Sequence, residues 1–224
     1  CEAELRGNYL KAIEIAENLT KHLLRKISKN SLENKFKFEN SNIKFIEKIV
    51  NSDFPQITFD EASKLLGKEG NGDLIQNRDY GRVINSAGEL KVVELVTDNK
   101  LPVWIMNYDR DVVPFYQKPD PTNSDKVLNA DLIFPSLNGS FGGEILGLGQ
   151  RQDDKKTMVD SMSRQGVTNL DSYVWYLNLR DRSDYVKTSG FGLGIERLLA
   201  WALGLRSIVD VAIYPVLKNQ EIIY

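Results

Sequence analysis

Residues 190–205 read GFGLGIERLLAWALGL, with glycine at 190, 192 and 194 followed by Glu196, Arg197 and an apolar helix. Strands ordinarily avoid glycine, which packs nothing and loses the most backbone entropy on ordering. Successive strand residues point to opposite faces, so Gly190, Gly192 and Gly194 strip a single face of side chains. Such a face admits either another backbone or a flat ligand. The spacing is not G-x-G-x-x-G, so a dinucleotide fingerprint is unsupported. Arg197 falls in the first turn of the next helix, where a guanidinium can stack on a ring or fork onto phosphate oxygens. A bare strand followed by this arginine reads as a seat for a purine nucleotide. Leu198, Leu199, Trp201 and Ala202 read as core packing.

A second stretch supplies the complementary chemistry. KVLNADLIFP and GGEILGLGQR read as the strands of a hairpin joined around SLNGSFGG, with Asp131 on one strand and Glu144 on the other. Two carboxylates facing one cleft suit Mg2+, which prefers hard oxygen ligands and bridges nucleotide phosphates. Arg151, at a pocket floor, suits recognition of a carboxylate or carboxamide. Strict alternation puts Glu144 and Arg151 on opposite faces, so both reach one pocket only if Gly147 or Gly149 makes a bulge. Read singly, these charges are ordinary surface charges, since charge runs are usually solvated faces.

The composition narrows the remaining choices. A chain of 224 residues with 42% apolar and 27% charged residues is a globular domain with room for a core. The formal charge of −2 offers no broad basic footprint for nucleic acid. With one cysteine, Cys1, and one histidine, His22, neither an internal disulfide nor a Cys/His zinc cluster can form. His22 reads as a solvated helix residue, so catalysis must rest on carboxylates, arginines and backbone groups, with or without a bound metal ion. No apolar run approaches the roughly 20 residues of a membrane span, and CEAELRG is no secretory leader. A cytoplasmic location is expected.

Periodicity predicts a helix from residue 5 to about 29 and a polar loop through SKNSLENKFKFENSN, which carries Phe36 and Phe38. A strand at Ile57–Phe59 runs into a helix with Asp60 as N-cap and Gly67 as stop. GKEGNGDLIQNRDYG reads as a surface connection or a mobile lid. AGELKVVELVTDN and DDKKTMVDSMSRQG read as helices, LPVWIMNY as a buried strand, PFYQKPDPTNSD as a loop, and SYVWYLNLRDRSDY as helical at its start. Without regular β-α-β alternation or an internal repeat, the fold class is α+β: one domain over 1–224, a mostly antiparallel sheet flanked by helices.

Together these stretches resemble the class II aminoacyl-tRNA synthetases of the aspartate and asparagine subgroup, most closely the catalytic domain of asparaginyl-tRNA synthetase. GFGLGIERLLAWALGLRSIVDVAIYPV looks like motif 3 and GGEILGLGQRQDD like the metal- and amino-acid-binding segment. PFYQKPDP, VWYLNLR and FPQITFDEA match in kind and order, over about Cys1 to Val216. The resemblance implies a six-stranded antiparallel sheet, a homodimer, and activation of asparagine or aspartate by ATP and Mg2+. It implies that Arg197 covers the adenine over Gly190, Gly192 and Gly194, and that Glu144 holds Mg2+ and ATP with help from Asp131. Arg151 would read the amino-acid side chain in the segment containing Gly147, Glu2 would hold the α-ammonium, and the loop around Asp73 would close over the substrate. Adenylate formation needs positioning and charge neutralisation rather than a side-chain base. Lys187 and Thr188 stand where the family usually has Pro-His, and the resemblance sets motif 1 and the motif 2 arginine before Cys1. With no anticodon-binding barrel in view, three outcomes stand: tRNA charging, a tRNA-independent paralogue passing the adenylate to ammonia or another nucleophile, or an inactive regulatory module that binds ATP or an amino acid.

Overall fold

The computed structural model describes residues 1–33 and 42–215. In chain order the elements are β1 (Glu2–Arg6), α1 (Tyr9–Glu33), α2 (Ile43–Ile49), β2 (Gln56–Thr58), α3 (Phe59–Lys68), β3 (Ile75–Arg78), β4 (Gly81–Ile84), α4 (Ser86–Thr97) and β5 (Val103–Met106). There follow β6 (Pro119–Asp120), β7 (Asn123–Val127), β8 (Asn129–Phe134), β9 (Gly143–Gln150), α5 (Lys155–Arg164), α6 (Val174–Asn178), β10 (Thr188–Leu193) and α7 (Ile195–Ala202).

Six strands form one sheet in the order β1-β10-β9-β8-β5-β2. Every neighbouring pair is antiparallel except β2 with β5. The expected α+β sheet is therefore present, with one parallel pair at its edge. Alternation sends Phe191, Leu193, Leu146, Leu148, Leu132, Phe134 and Trp104 to one face, where they bury against α1, α2 and α7. Trp201 of α7 is fully buried; its Nε1 donates to the Pro135 carbonyl at 2.9 Å and its ring meets Phe134 edge-on at 4.7 Å. Burying a large apolar side chain of this kind stabilises by about 1.5–3 kcal/mol.

The opposite face is covered unevenly. Val103, Ile105 and Ile133 bury under Phe59, Ala62 and Leu66 of α3 and Val92 and Val93 of α4. Over β8, β9, β10 and β1 the same face turns to glycines and polar residues, which offer a helix nothing to pack on. That half stays open as a cleft. A small cluster of Met158, Met162 and Leu177, with Phe115, Tyr116, Tyr173 and Tyr176 packed on it, stands beside the cleft.

Several local expectations are corrected. Residues 5 and 6 end β1 rather than beginning a helix, and α1 starts at Tyr9. The helix runs on to Glu33, past residue 29; Phe36 and Phe38 lie outside the described residues. Thr58, not Asp60, caps α3: its hydroxyl accepts from the Glu61 N–H while Glu61 accepts from the Thr58 N–H, a reciprocal box worth about 1 kcal/mol. Gly67 does not stop α3, which continues to Lys68. PFYQKPDPTNSD is not wholly loop, since β6 and β7 pair within and just beyond it. The glycine-rich stretch after α3 folds into the β3–β4 hairpin. Arg82 on this hairpin binds Asp109 and Asp60, Lys126 binds the same two carboxylates, and both cations lie over the Phe59 ring.

Candidate functional site

Strand register builds the site as two rows across the sheet. One runs Glu2, Gly192, Gly147, Asp131; the other runs Glu4, Gly190, Gly149, Asn129. Each row has polar side chains at its ends and two glycines between them. All eight residues line a cleft of about 1130 Å³, slightly larger than most small-molecule sites.

Glu144 joins them through a bulge, but not at the expected glycines. Leu132 pairs with Leu146 and Ile133 with Glu144, so Ile145 is the extra residue. The shift brings Glu144 onto the face shared by Gly147, Gly149 and Arg151. A β-carbon at Gly147 would meet Asp131 Oδ1 at 3.1 Å and Glu144 Oε1 at 3.2 Å, so the two carboxylates converge over that glycine.

The glycines do different work from one another, which corrects the picture of a uniformly bare floor. Above Gly192 there is open space. A β-carbon at Gly190 would stand 2.1 Å from Glu4 Oε2 and 2.4 Å from Arg151 Nη2, so this glycine makes room for an ion pair. At Gly194 the aliphatic stem of Arg197 occupies the space, 3.1 Å away at its Cδ. Gly149 lies under the side chain of Gln117.

The charged groups form two clusters. Arg151 donates from Nη2 to Glu4 Oε2 at 2.8 Å and from Nε to the same oxygen at 3.1 Å, and its guanidinium lies 5.2 Å from the Tyr116 ring centre. Burial works against the Glu4 charge, but hydrogen bonds from Arg151 and Thr188 outweigh it and hold the carboxyl below its ordinary value. In the second cluster, Arg197 Nη1 donates to the Glu144 carbonyl at 2.8 Å and lies 3.2 Å from its Oε2. Asp131 is pushed well above the usual carboxylate range, first by burial and then by the charges of Glu144 and Glu89. Burial, followed by Glu144, pushes Glu89 up to about 7, with Arg197 opposing.

The cleft thus gathers Glu2, Asp131, Glu144, Gly147, Arg151, Gly190 and Gly192 from the sequence-based set. Arg197 and Gly194 are not among its lining residues; Arg197 reaches the site through Glu144. Asp73 does not line it either. Gly72, Ile75 and Asn77 of that region face a separate cavity with Asp60, Lys64 and Arg82. Thr188 lines the cleft, whereas Lys187 is exposed and pairs with Asp153. Exposed His22 lies on α1, as its solvated reading requires.

Glu4, Gln117 and Glu89 were missed by sequence reasoning. Glu4 was findable, because it lies two residues beyond Glu2 and shares its strand face. Gln117 and Glu89 carry no such local signal. Asp131 and Glu144 fit Mg2+: hard oxygen donors converge on one point, and mutual repulsion there is relieved by a divalent cation. Among the described residues no group of three or more His, Cys, Asp or Glu side chains is placed to hold a metal. Any such ion would complete its shell with water and phosphate oxygens. No helix among the described residues is long and apolar enough to cross a membrane.

A family model described as tRNA synthetases class II (D, K and N) matches residues 1–218. The asparaginyl-tRNA synthetase of Pyrococcus horikoshii superposes with a TM-score of 0.80 at 28% identity, covering 98% of this chain and 49% of that one. Its complex with asparaginyl-adenylate matches with the same score and identity, covering 98% and 47%. The aspartyl-tRNA synthetase of Entamoeba histolytica, at 22% identity and a TM-score of 0.75, shares the fold, covering 96% and 41%. This chain spans about half the length of the P. horikoshii synthetase.

Proposed function

Because this chain belongs to the class II tRNA synthetases of the D, K and N group, we propose that it activates asparagine with ATP, forming an enzyme-bound aminoacyl-adenylate. The observation that carries the choice of amino acid is the Glu4–Arg151 pair beside Gly190. A carboxamide offers an oxygen to the guanidinium and an N–H to the carboxylate, so it satisfies both partners. A substrate carboxylate would satisfy Arg151 but oppose Glu4. Two like charges about 4 Å apart repel by roughly 4 kcal/mol at the effective dielectric of a partly buried site, enough for a preference of several hundredfold.

The nucleotide lies along the other row. Gly192 leaves room for a flat base, and Arg197, Glu144 and Asp131 occupy the adjoining end, where phosphates and their counter-ion belong. Mg2+ held by Asp131 and Glu144 would neutralise phosphate charge during attack by the amino-acid carboxylate. Glu2, at the end of the Gly192 row, is placed to receive the α-ammonium. The chain's own part is to hold the carboxylate against the α-phosphorus and to keep the charges paired. No residue has to act as a proton-abstracting base. The adenylate then serves an acceptor, tRNA being the one that the family membership favours.

Amino-acid-dependent exchange of pyrophosphate into ATP tests this reading. With the full-length protein, asparagine should drive exchange and aspartate should be far weaker. Glu144→Ala and Arg197→Ala should each abolish it. Exchange with neither amino acid, from folded protein that binds ATP, would rule the reading out.

A further inference from the structure

Two contacts of different kinds hold the Arg151 guanidinium. Its Nε and Nη2 donate to Glu4, and it lies over the Tyr116 ring, 5.2 Å from the ring centre. Among the described residues Glu4 is the only hydrogen-bond acceptor for this side chain. The ring contact follows from backbone pairing at the end of β9. Gln117 bridges Arg151, the Lys118 N–H donates to the Gln150 carbonyl at 2.8 Å, and the Gln152 N–H donates to the Tyr116 carbonyl at 2.8 Å. The segment carrying Tyr116 is thereby fixed beside Arg151. The ring is braced in turn: Phe115 meets it edge-on at 5.8 Å and meets Tyr173 edge-on at 5.2 Å. All three rings pack on Met158, Met162 and Leu177.

The two contacts fare differently when substrate arrives. A carboxamide placed between Glu4 and Arg151 takes the donors of one and the lone pairs of the other, so the direct ion pair opens. The ring contact does not compete with it. An aromatic face attracts a cation through its quadrupole, without an acceptor atom. We infer that Tyr116 is a positioning residue, whose ring keeps the Arg151 guanidinium aimed at the space over Gly190 while the carboxamide separates it from Glu4. This inference rests on the asparagine reading above. Arginine has many rotamers, and ordering such a side chain on binding weakens affinity. A ring that already holds the guanidinium in place removes that penalty before the substrate enters. The Tyr116 hydroxyl has no part in this; an aromatic ring of the same shape suffices.

The test uses the full-length protein with Tyr116→Leu, which removes the ring, and Tyr116→Phe, which removes only the hydroxyl. Pyrophosphate exchange at varied asparagine and at varied ATP gives both KM values and kcat, and a thermal melt without ligand reports folding. The inference predicts that Tyr116→Leu raises the KM for asparagine about fivefold, the size expected of a partly desolvated cation–π contact. In that variant kcat and the KM for ATP hold, and restoring the ring with Tyr116→Phe rescues the asparagine KM. An unchanged asparagine KM in Tyr116→Leu overturns the inference and leaves the asparagine reading standing. Equal losses in the two variants assign the effect to the hydroxyl and also overturn it. So does a lowered melting temperature with joint loss of ATP and asparagine affinity, which marks a merely structural role. Absence of asparagine-dependent exchange in the unaltered protein defeats the asparagine reading itself, and this inference with it.

Discussion

Replacing Gly192 with alanine should separate folding from nucleotide binding. The new β-carbon enters open space, with no atom of the described residues within 4 Å beyond its chain neighbours, and Gly192 does not adopt the positive φ that disfavours side chains. Alanine in a strand interior is favoured over glycine by roughly 0.5–1 kcal/mol, so unfolding stability should hold or rise by that amount. The same methyl group stands on the only part of the glycine floor that is not already filled by Glu4 and Arg151, by Gln117, by Asp131 and Glu144, or by the Arg197 stem. A base lying there must shift, and overpacking of this kind costs about 1–3 kcal/mol. The KM for ATP should rise roughly five- to 160-fold, with the KM for asparagine little changed. Denaturant unfolding reads the first quantity and pyrophosphate exchange at varied ATP the second. An unchanged KM for ATP would refute the floor as nucleotide seat. A large loss of stability would contradict the open space above Gly192.

Gly190→Ala should behave in the opposite manner, because its β-carbon would collide with Glu4 and Arg151; exchange at varied asparagine should show a KM raised at least tenfold, by roughly 1.4 kcal/mol or more, with a smaller effect on ATP. The hairpin network supplies a pH prediction. Burial opposes the Asp109 charge, but hydrogen bonds from Arg82 and Lys126 outweigh it and hold the carboxyl at about 2, below the ordinary value of 3.8. The resulting stabilisation is present above about pH 4 and is lost as pH falls through 3.8 toward 2. Asp109→Asn should lose roughly 2 kcal/mol at neutral pH and flatten that acid limb, which chemical denaturation at stepped pH would reveal.

Much of the sheet was legible because its signals are local. The stretches KVLNADLIFP and GGEILGLGQR on either side of SLNGSFGG marked the hairpin of β8 and β9, and glycines of one parity located the open face of β10. The site assembled from distant pieces was less legible. Glu4 and Arg151 are far apart in sequence, so the ion pair filling the space at Gly190 leaves no trace in GFGLG itself. β1 is five residues long, and its apolar positions blend into the periodicity of the helix that follows. The bulge falls at Ile145 because the β8–β9 register, not glycine content, sets it. The glycines between Gly67 and Gly81 gave no sign of the β3–β4 hairpin, which ion pairs from Arg82 to Asp109 and Asp60 fix to the body. Asp60 looked like a cap by residue type, while the backbone entering α3 gave that position to Thr58.

A crystal structure of the full-length protein with asparagine and a non-hydrolysable ATP analogue tests the account most directly. It should show the adenine over Gly192, the phosphates toward Glu144 and Arg197, and the substrate carboxamide between Glu4 and Arg151. An adenine seated away from Gly192, or an intact Glu4–Arg151 pair with no substrate group touching it, would contradict the account.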